Sequence, residues 1–324
     1  MTTPDAAPDT APETEADVPG PVVVEVVRGG TVESVHTGHL VVLGPRGEIV
    51  LERGRPDLPV FWRSAAKPLQ ATAVVAAGVD LTGPQLAMAA ASHAGEPAHV
   101  EVVTSTLAAG GLDESDLGCP PDWPMDEAAF AVAFPGGKRR VYMNCSGKHA
   151  ALLRACQAQG WPTAGYLDPE HPLQHHLLAT VEQIAGERVA ATTTDGCGLP
   201  LYALSLRALA RSFRDLRTSP VAAAMRVHPK LVDGTGRFTT RVLTGVPGVL
   251  AKNGAEGVWA AALPDGSAFA LKIDDGAMRA AEVLTAQVLT HLGAPGDLPP
   301  VTTPVLGGGA TVGEIRVRAG LLAG

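Results

Sequence analysis

A serine and a lysine stand three residues apart in the segment Arg63-Ser64-Ala65-Ala66-Lys67-Pro68, where a helix is predicted to begin. On a helix, residues i and i+3 share one face, so the Lys67 amine can reach the Ser64 hydroxyl. A neighbouring base activates a serine by taking its proton, and an amine does so only when it is neutral, a form that burial favours. The pair indicates acyl transfer without histidine, although Ser-x-x-Lys also occurs on solvated helix surfaces.

A second serine and two further lysines occur where apolar runs of the sequence are interrupted. Ser92 follows an alanine-rich run, and it either ends a helix or belongs to a site. Lys272 interrupts an apolar strand near its end and precedes Asp274 and Asp275, so its amine faces either solvent or a cleft. A polar loop around Lys252 could line the same cleft, but its lysine has the weaker claim.

Two of the four cysteines lie on glycine-bearing turns. Cys145 is followed by Ser-Gly-Lys-His at a predicted helix start, whose backbone N–H groups can hold an oxyanion or simply be capped. Cys197 is flanked by glycines. Because no C-x-x-C pair is present, a zinc site depends on the fold bringing the two thiols together. From chemistry alone, His149 or Asp195 would complete such a site, since a lysine amine must first lose its proton.

The composition is that of a globular protein with a core of small aliphatic side chains. Hydrophobic residues make up 46% of the 324 residues, charged residues 18% and aromatic residues 4%. The formal charge of −8 includes five acidic and no basic side chains in residues 1–20, which leaves −3 for the rest. Without a basic stripe, nucleic acid is excluded as an expected partner.

The chain is predicted to have an acidic, Pro/Ala-rich disordered tail over residues 1–20 and one catalytic domain over 21–324. The tail lacks the basic and apolar regions of a signal peptide, and no apolar run is long enough for a membrane span. Four cysteines without an export signal are expected to be thiols or metal ligands. A cytoplasmic location and no membrane partner are therefore expected.

The hydrophobic patterns place strands at both ends of the chain and helices in the middle. A mixed α/β (α+β) fold follows, with one sheet assembled from both ends, packed with helices and joined to a helical region. The predicted strands are 21–28, 32–43, 48–52, 257–263, 267–273 and 313–318, and the predicted helices are 64–77, 84–92, 98–109, 148–159, 172–186 and 277–292.

Eight ordered segments together resemble the rhizobial-type (class 3, thermolabile) L-asparaginase family. They are Val35-His36-x-Gly38, Arg63-Ser64-x-x-Lys67-Pro68-x-Gln70, Ser92-His93-x-Gly95-Glu96, Asn144-Cys145-Ser146-Gly147-Lys148-His149, Asp195-Gly196-Cys197-Gly198-x-Pro200, His228-Pro229 with Gly234-Thr235-Gly236-Arg237, Lys252 with Gly254-Ala255-Glu256-Gly257, and Leu271-Lys272-Ile273-Asp274-Asp275-Gly276. The resemblance implies a fold like that of serine β-lactamases and glutaminases, a homodimer, and hydrolysis of L-asparagine to L-aspartate and ammonia.

The resemblance also implies roles for ten residues. Ser64 with Lys67 and Ser92 with Lys272 would form two pairs facing one substrate, with Ser64 as the preferred nucleophile and Ser92 as the alternative. Zinc would bind at Cys145, Lys148 and Cys197, with water as a further ligand, and Arg63, Asp195 and His149 would be substrate or supporting groups. Some relatives carry another cysteine in the C-terminal third, and this chain has none after Cys197.

Two other classes of function share some of these features. A glutaminase or another serine amidohydrolase would use the same Ser64–Lys67 pair, whereas a β-lactam enzyme should also carry Ser-Asp-Asn and Lys-Thr-Gly, which are replaced here by Ser92-His93 and Lys272-Ile273-Asp274. A non-catalytic zinc- or ligand-binding protein on the same scaffold is the other alternative.

Overall fold

The computed structural model describes residues 19–323, and within them a large antiparallel sheet joins the two ends of the chain. Its eight strands are β1 (Val22–Arg28), β2 (Thr31–Leu43), β3 (Ile49–Arg53), β7 (Leu250–Gly254), β8 (Val258–Ala262), β9 (Ala268–Ile273), β10 (Thr302–Gly307) and β11 (Ala310–Val317). Seven of them follow the order β10-β11-β1-β2-β9-β8-β7, and β3 pairs with the C-terminal end of β2, at Leu40–Leu43.

Eleven α-helices and a three-stranded sheet complete the described part of the chain. The small sheet has the order β4-β6-β5, with β4 (Pro59–Phe61), β5 (Ala191–Thr194) and β6 (Pro200–Ser205). The helices are α1 (Lys67–Ala76), α2 (Pro84–Ala89), α3 (Pro97–Ala108), α4 (Glu127–Ala133), α5 (Ser146–Gln159), α6 (Pro172–Ala185), α7 (Leu206–Leu216), α8 (Pro220–Val227), α9 (Pro229–Val232), α10 (Phe238–Gly245) and α11 (Met278–His291).

The centre of the large sheet is covered on both faces. Every residue of β8 is buried, and so is every residue of β9 except Lys272, a pattern that requires packing partners above and below the strands. Helices α7 and α11 supply them, since both contact β8 and β9. Burial of these apolar strands stabilises the sheet by about 25 cal/mol per Å² of apolar surface removed from water.

The helical region lies beside the sheet and is built around α5. This helix packs against α1, α2 and α3, and α2 also contacts α8 and α9. Ten of its fourteen residues are buried, although its sequence includes a serine, a lysine and a histidine in that buried set. Polar side chains buried in a helical core need hydrogen-bond partners, and those of α5 find them at the candidate site.

The predicted mixed α/β architecture is confirmed, and each of the six predicted strands and six predicted helices has a counterpart. The helix predicted for 84–92 is shorter than expected, because α2 ends at Ala89 and leaves Ser92 in a loop. The predicted tail, residues 1–20, lies outside the described residues apart from its last two. None of the helices in the described range has the length and apolarity to cross a bilayer.

Candidate active site

The buried amine of Lys67 contacts the hydroxyl of Ser92, 25 residues further along the chain. Lys67 is the first residue of α1 and is fully buried, and its Nζ donates to Ser92 Oγ at 2.9 Å and to the carbonyl oxygen of Ala91 at 2.5 Å. Ser92 is fixed in turn by its backbone N–H, which donates to the carbonyl of Val232 at 2.8 Å. Burial lowers the pKa of Lys67, which favours the neutral amine that a general base requires.

A second buried amine reaches the same hydroxyl from the edge strand of the large sheet. Lys252 lies in the middle of β7, is fully buried, and places its Nζ 2.9 Å from Ser92 Oγ. Desolvation and the nearby Lys67 lower the pKa of Lys252 to about 7. One hydroxyl therefore lies between two buried amines, forming a chain Lys67–Ser92–Lys252.

The predicted pairing of Ser92 with Lys272 is wrong as a hydrogen bond in this structure. The Lys272 amine donates to the backbone carbonyls of Glu256 at 2.7 Å and Ile273 at 2.5 Å. The sheet order explains the difference, because β8 lies between β9, which carries Lys272, and β7, which carries Lys252. Lys272 is half-buried and lines a cavity rather than the serine centre.

Ser64 lies one helical turn before Lys67, as the sequence predicts, but their side chains are not hydrogen-bonded. The 3₁₀ helix Arg63–Ala66 precedes α1, and the backbone N–H of Lys67 donates to the Ser64 carbonyl. Within residues 19–323 the partly exposed Ser64 hydroxyl has no hydrogen-bond partner, whereas the Lys67 amine is engaged by Ser92. The Ser64 hydroxyl is therefore less restrained by hydrogen bonds than the Ser92 hydroxyl.

The turn that carries Ser64 is strained and closely packed against β7. Arg63 has a φ of 49°, a left-handed conformation that non-glycine residues adopt at a cost of about 1–3 kcal/mol. The close approach depends on Gly254 at the end of β7, because a Cβ there would lie 2.6 Å from the Trp62 carbonyl oxygen. Such strain in a fixed turn is typical of positions where a side chain must be presented to a ligand.

Arg63 and Asp195 form an ion pair at the wall of a cavity of about 520 Å³. Their Nε and Oδ1 atoms are 3.0 Å apart, and Glu256, Lys272 and Thr194 also line the cavity. Burial alone would raise the pKa of Asp195, but the charges of Lys148 and Arg63 and the N–H of Gly196 outweigh it and lower that pKa. The cavity therefore offers fixed positive and negative groups to a small polar ligand.

The fold brings Cys145 and Cys197 close enough to influence each other's ionisation, as the resemblance implies. Cys145 precedes α5, and Cys197 lies in the hairpin turn between β5 and β6, whose strands pair antiparallel. Cys197 is the largest influence that lowers the pKa of Cys145, Lys67 and Lys148 add to it against the effect of burial, and the Sγ of Cys145 lies 3.1 Å from Asn144 Oδ1. Cys145 and burial raise the pKa of Cys197, so Cys145 is the sulfur of the two that more readily becomes a thiolate.

Lys148 completes this group through an amine 3.4 Å from Cys197 Sγ. Burial would lower the pKa of Lys148, but the sulfurs of Cys197 and Cys145 and the carboxylate of Asp195 outweigh it and raise that pKa. Lys148 is therefore the charged counter-ion of the thiolate. Among residues 19–323, no three His, Cys, Asp or Glu side chains are grouped as a metal site, so neither His149 nor Asp195 completes the thiol pair in the way their chemistry predicted.

His149 turns away from the cavity walls toward the core. Its Nδ1 lies 2.6 Å from the Tyr166 hydroxyl, and its buried Nε2 has no partner within the described residues. Burial and the nearby lysines keep the pKa of His149 well below its usual range, so the ring is neutral. A direct contact with substrate stays a prediction for this residue.

The residue that sequence reasoning ranked too low is Lys252. Its signal was present, because a lysine in the apolar run Val249-Leu250-Ala251 has no polar face to occupy when a strand is covered on both sides. Five of the predicted site residues interact within one buried centre, and their roles stay predictions: Lys67, Ser92, Cys145, Lys148 and Cys197.

The comparison with known proteins decides the family. A sequence model described as L-asparaginase II matches residues 24–317, which is most of the chain. The chain belongs to the L-asparaginase II family. It is accordingly an amidohydrolase, as the resemblance implied, and all eight ordered segments lie within the matched range.

The comparison with solved structures also returned matches. A β-lactamase from Mycobacterium bovis matches with 16% identity and a TM-score of 0.41, covering 78% of this chain and 94% of its own. A search of the curated proteins returned no match.

Proposed function

We propose that this protein is an L-asparaginase that hydrolyses L-asparagine to L-aspartate and ammonia by serine–lysine catalysis. The observation that carries the proposal is the buried amine of Lys67, a residue one helical turn after Ser64, which lies 2.9 Å from the hydroxyl of Ser92. Its surroundings favour the neutral form, which is the form able to accept a proton from a serine. Membership of the L-asparaginase II family supports the choice of substrate.

The reaction follows from the connectivity of these groups. Ser64 gives its proton to Lys67 and forms a C–O bond to the side-chain amide carbon of asparagine. When the C–N bond breaks, Lys67 returns the proton to the leaving nitrogen, which departs as ammonia. Water then gives a proton to Lys67 and its oxygen to the acyl group, and Ser64 regains the proton as aspartate leaves. Ser92 holds the Lys67 amine in place throughout.

The choice of Ser64 over Ser92 as the nucleophile has a physical basis. The oxygen of Ser92 already faces two amines and is only 7% exposed, so an incoming amide has little access to it. The Ser64 hydroxyl is partly exposed, unpartnered within the described residues, and next to the cavity wall at Arg63. We assign the substrate's α-carboxylate and α-amino groups to this cavity, where Arg63, Lys272 and Asp195 can pair with them.

The resemblance implies zinc, and the donor set of the thiol pair fits it. The lowered pKa of Cys145 favours the thiolate that binds a metal, and Lys148 places an amine 3.4 Å from the sulfur of Cys197. We propose that these three side chains would hold zinc, with Lys148 losing its proton on binding. Bound zinc would supply a fixed positive charge for the substrate carboxylate, and without it Lys148 supplies that charge.

Ammonia release from the purified protein tests the proposed activity. We expect release from L-asparagine at a kcat/KM about 10- to 100-fold above that for L-glutamine, because one methylene changes binding by about 1–3 kcal/mol. A higher kcat/KM for L-glutamine would make the protein a glutaminase. Absence of release from either amide, with the protein folded, would favour a ligand-binding role and overturn the proposal.

The zinc proposal is tested by metal content and by chelation. Cys145→Ser is expected to lose bound zinc, whereas Cys156→Ser, which alters a buried cysteine further along α5, is expected to keep it. In the wild type, chelation should raise KM while kcat is retained, because the proposed zinc binds substrate and does not activate water. Zinc retained at full occupancy by Cys145→Ser, or a collapse of kcat on chelation, would contradict this role.

A further inference from the structure

Two residues with strained backbone conformations lie side by side at the cavity next to the Ser64 turn. Within residues 19–323, Arg63 (φ 49°) and Glu256 (φ 60°) are the two non-glycine residues with positive φ values. Arg63 Nη1 and Glu256 Oε1 are 4.0 Å apart, and both residues line the cavity of about 520 Å³. Because strained residues cluster where side chains are presented to ligands, Glu256 is a candidate contact for the substrate.

Glu256 lies in the tight turn between β7 and β8, where local backbone preferences do not favour a glutamate. Glu256 and the following Gly257 both have positive φ values, a conformation that hairpin turns usually give to Asn, Asp or Gly. Gly276 makes room for the side chain, because a Cβ there would lie 2.5 Å from Glu256 Oε2. The backbone carbonyl of Glu256 also accepts a hydrogen bond from the Lys272 amine at 2.7 Å. The turn therefore fixes one carboxylate and one amine at the same cavity.

Two carboxylates line this cavity, and they differ in how far the protein already uses them. The side chain of Asp195 is 12% exposed, and its Oδ1 accepts from Arg63 Nε at 3.0 Å and from the N–H of Gly196 at 2.9 Å. The side chain of Glu256 is 66% exposed, and within residues 19–323 its closest ion-pair distance is the 4.0 Å to Arg63, too long for a hydrogen bond. Glu256 therefore has acceptor capacity left for a ligand.

We propose that Glu256 is a specificity-determining residue that binds the α-ammonium group of the substrate. This inference rests on the proposed asparaginase reaction and names the group by which the site distinguishes an α-amino acid amide from an amide without an amino group. The charges at the cavity support it, because Arg63 and Lys272 match the α-carboxylate of the substrate and Glu256 matches its ammonium. A carboxylate–ammonium contact is a charge-assisted hydrogen bond, about twice as strong as a neutral one.

Hydrolysis of L-asparagine and of succinamate by Glu256→Gln tests this inference. Succinamate has the same carboxylate and the same amide as L-asparagine but lacks the amino group. Glu256→Gln should lower kcat/KM for L-asparagine by about 10-fold, mainly through KM, and should keep kcat/KM for succinamate within about twofold of wild type. Equal losses for the two substrates would indicate a structural role and overturn the inference, as would unchanged kinetics with L-asparagine.

Two further variants control for the loss of a charge and for the strained turn. Glu314→Gln changes a partly exposed glutamate on β11, far from β7 in the order of the sheet, and should leave the kinetics with both substrates unchanged. Glu256→Asp keeps the charge on a side chain that is one methylene shorter, so it should prefer L-asparagine over succinamate more strongly than Glu256→Gln does. A weaker preference in Glu256→Asp than in Glu256→Gln would contradict an ionic contact.

Binding of the reaction product separates this inference from the proposed activity. L-Aspartate differs from succinate only by its amino group, so calorimetric titration with the two ligands measures ammonium recognition without turnover. Wild type should bind L-aspartate about 10-fold more tightly than succinate, and Glu256→Gln should lose most of that difference. Equal binding by wild type, or a difference that persists in Glu256→Gln, would overturn the inference even with an active enzyme. The expected loss would support ammonium recognition by Glu256 even if no ammonia were released.

Discussion

Lys67→Met is expected to lower kcat for L-asparagine by about 10³-fold while the protein stays folded. The substitution removes the amine that belongs to the turn after Ser64 and lies 2.9 Å from Ser92 Oγ, and proton transfer by a positioned base contributes 10²–10⁴-fold in rate. Methionine fills a similar volume in a position that is fully buried. The loss should therefore lie in kcat, measured by steady-state ammonia release, more than in KM.

The variant Lys67→Arg tests whether Lys67 acts as a base or only as a positive charge. Lys67→Arg keeps the cation, but a guanidinium stays protonated and cannot accept a proton from a serine. We expect Lys67→Arg to be as inactive as Lys67→Met. Circular dichroism and urea unfolding should show that both variants are folded, although in Lys67→Met the Ala91 carbonyl loses its donor at a cost of about 1–3 kcal/mol. Substantial activity in a folded Lys67→Arg would contradict the assigned base.

Removal of the Ser64 hydroxyl is expected to lower kcat more than removal of the Ser92 hydroxyl. Ser64→Ala removes the proposed nucleophile and should lower kcat by roughly 10⁴-fold or more, as for other catalytic serines. Ser92→Ala removes the hydroxyl that holds the Lys67 amine and should cost about 100-fold. Because the two groups act in one unit, the double variant should be no worse than Ser64→Ala alone. Equal and additive losses would show that the two serines act independently.

Much of this fold could be predicted from periodicity, because its signals are local. The valine-bearing run that forms β2 and the Pro264-Asp265-Gly266 turn between β8 and β9 needed no knowledge of distant residues. The hairpin of β5 and β6 was missed for a local reason as well. All four residues of β5 are exposed and all six of β6 are buried, so neither strand shows an alternating pattern.

The partners of the catalytic groups could not be predicted in the same way. Spacing correctly placed Ser64 one turn before Lys67, but the partner of Ser92 depends on the order of strands in the sheet. Because β7 forms the edge beside the 3₁₀ helix Arg63–Ala66, Lys252 and not Lys272 reaches Ser92. The contact between Cys145 and Cys197, 52 positions apart, likewise needs the β5–β6 hairpin to lie beside the start of α5.

The most direct test of serine–lysine catalysis is to trap the acyl-enzyme and locate it on the chain. Wild-type protein would be mixed with L-asparagine, quenched in acid within milliseconds, digested and examined by mass spectrometry. We predict an aspartyl ester on the peptide that contains Ser64, present in wild type and absent from Ser64→Ala. An adduct on Ser92 that survives in Ser64→Ala would contradict the account, as would turnover that never acylates a serine.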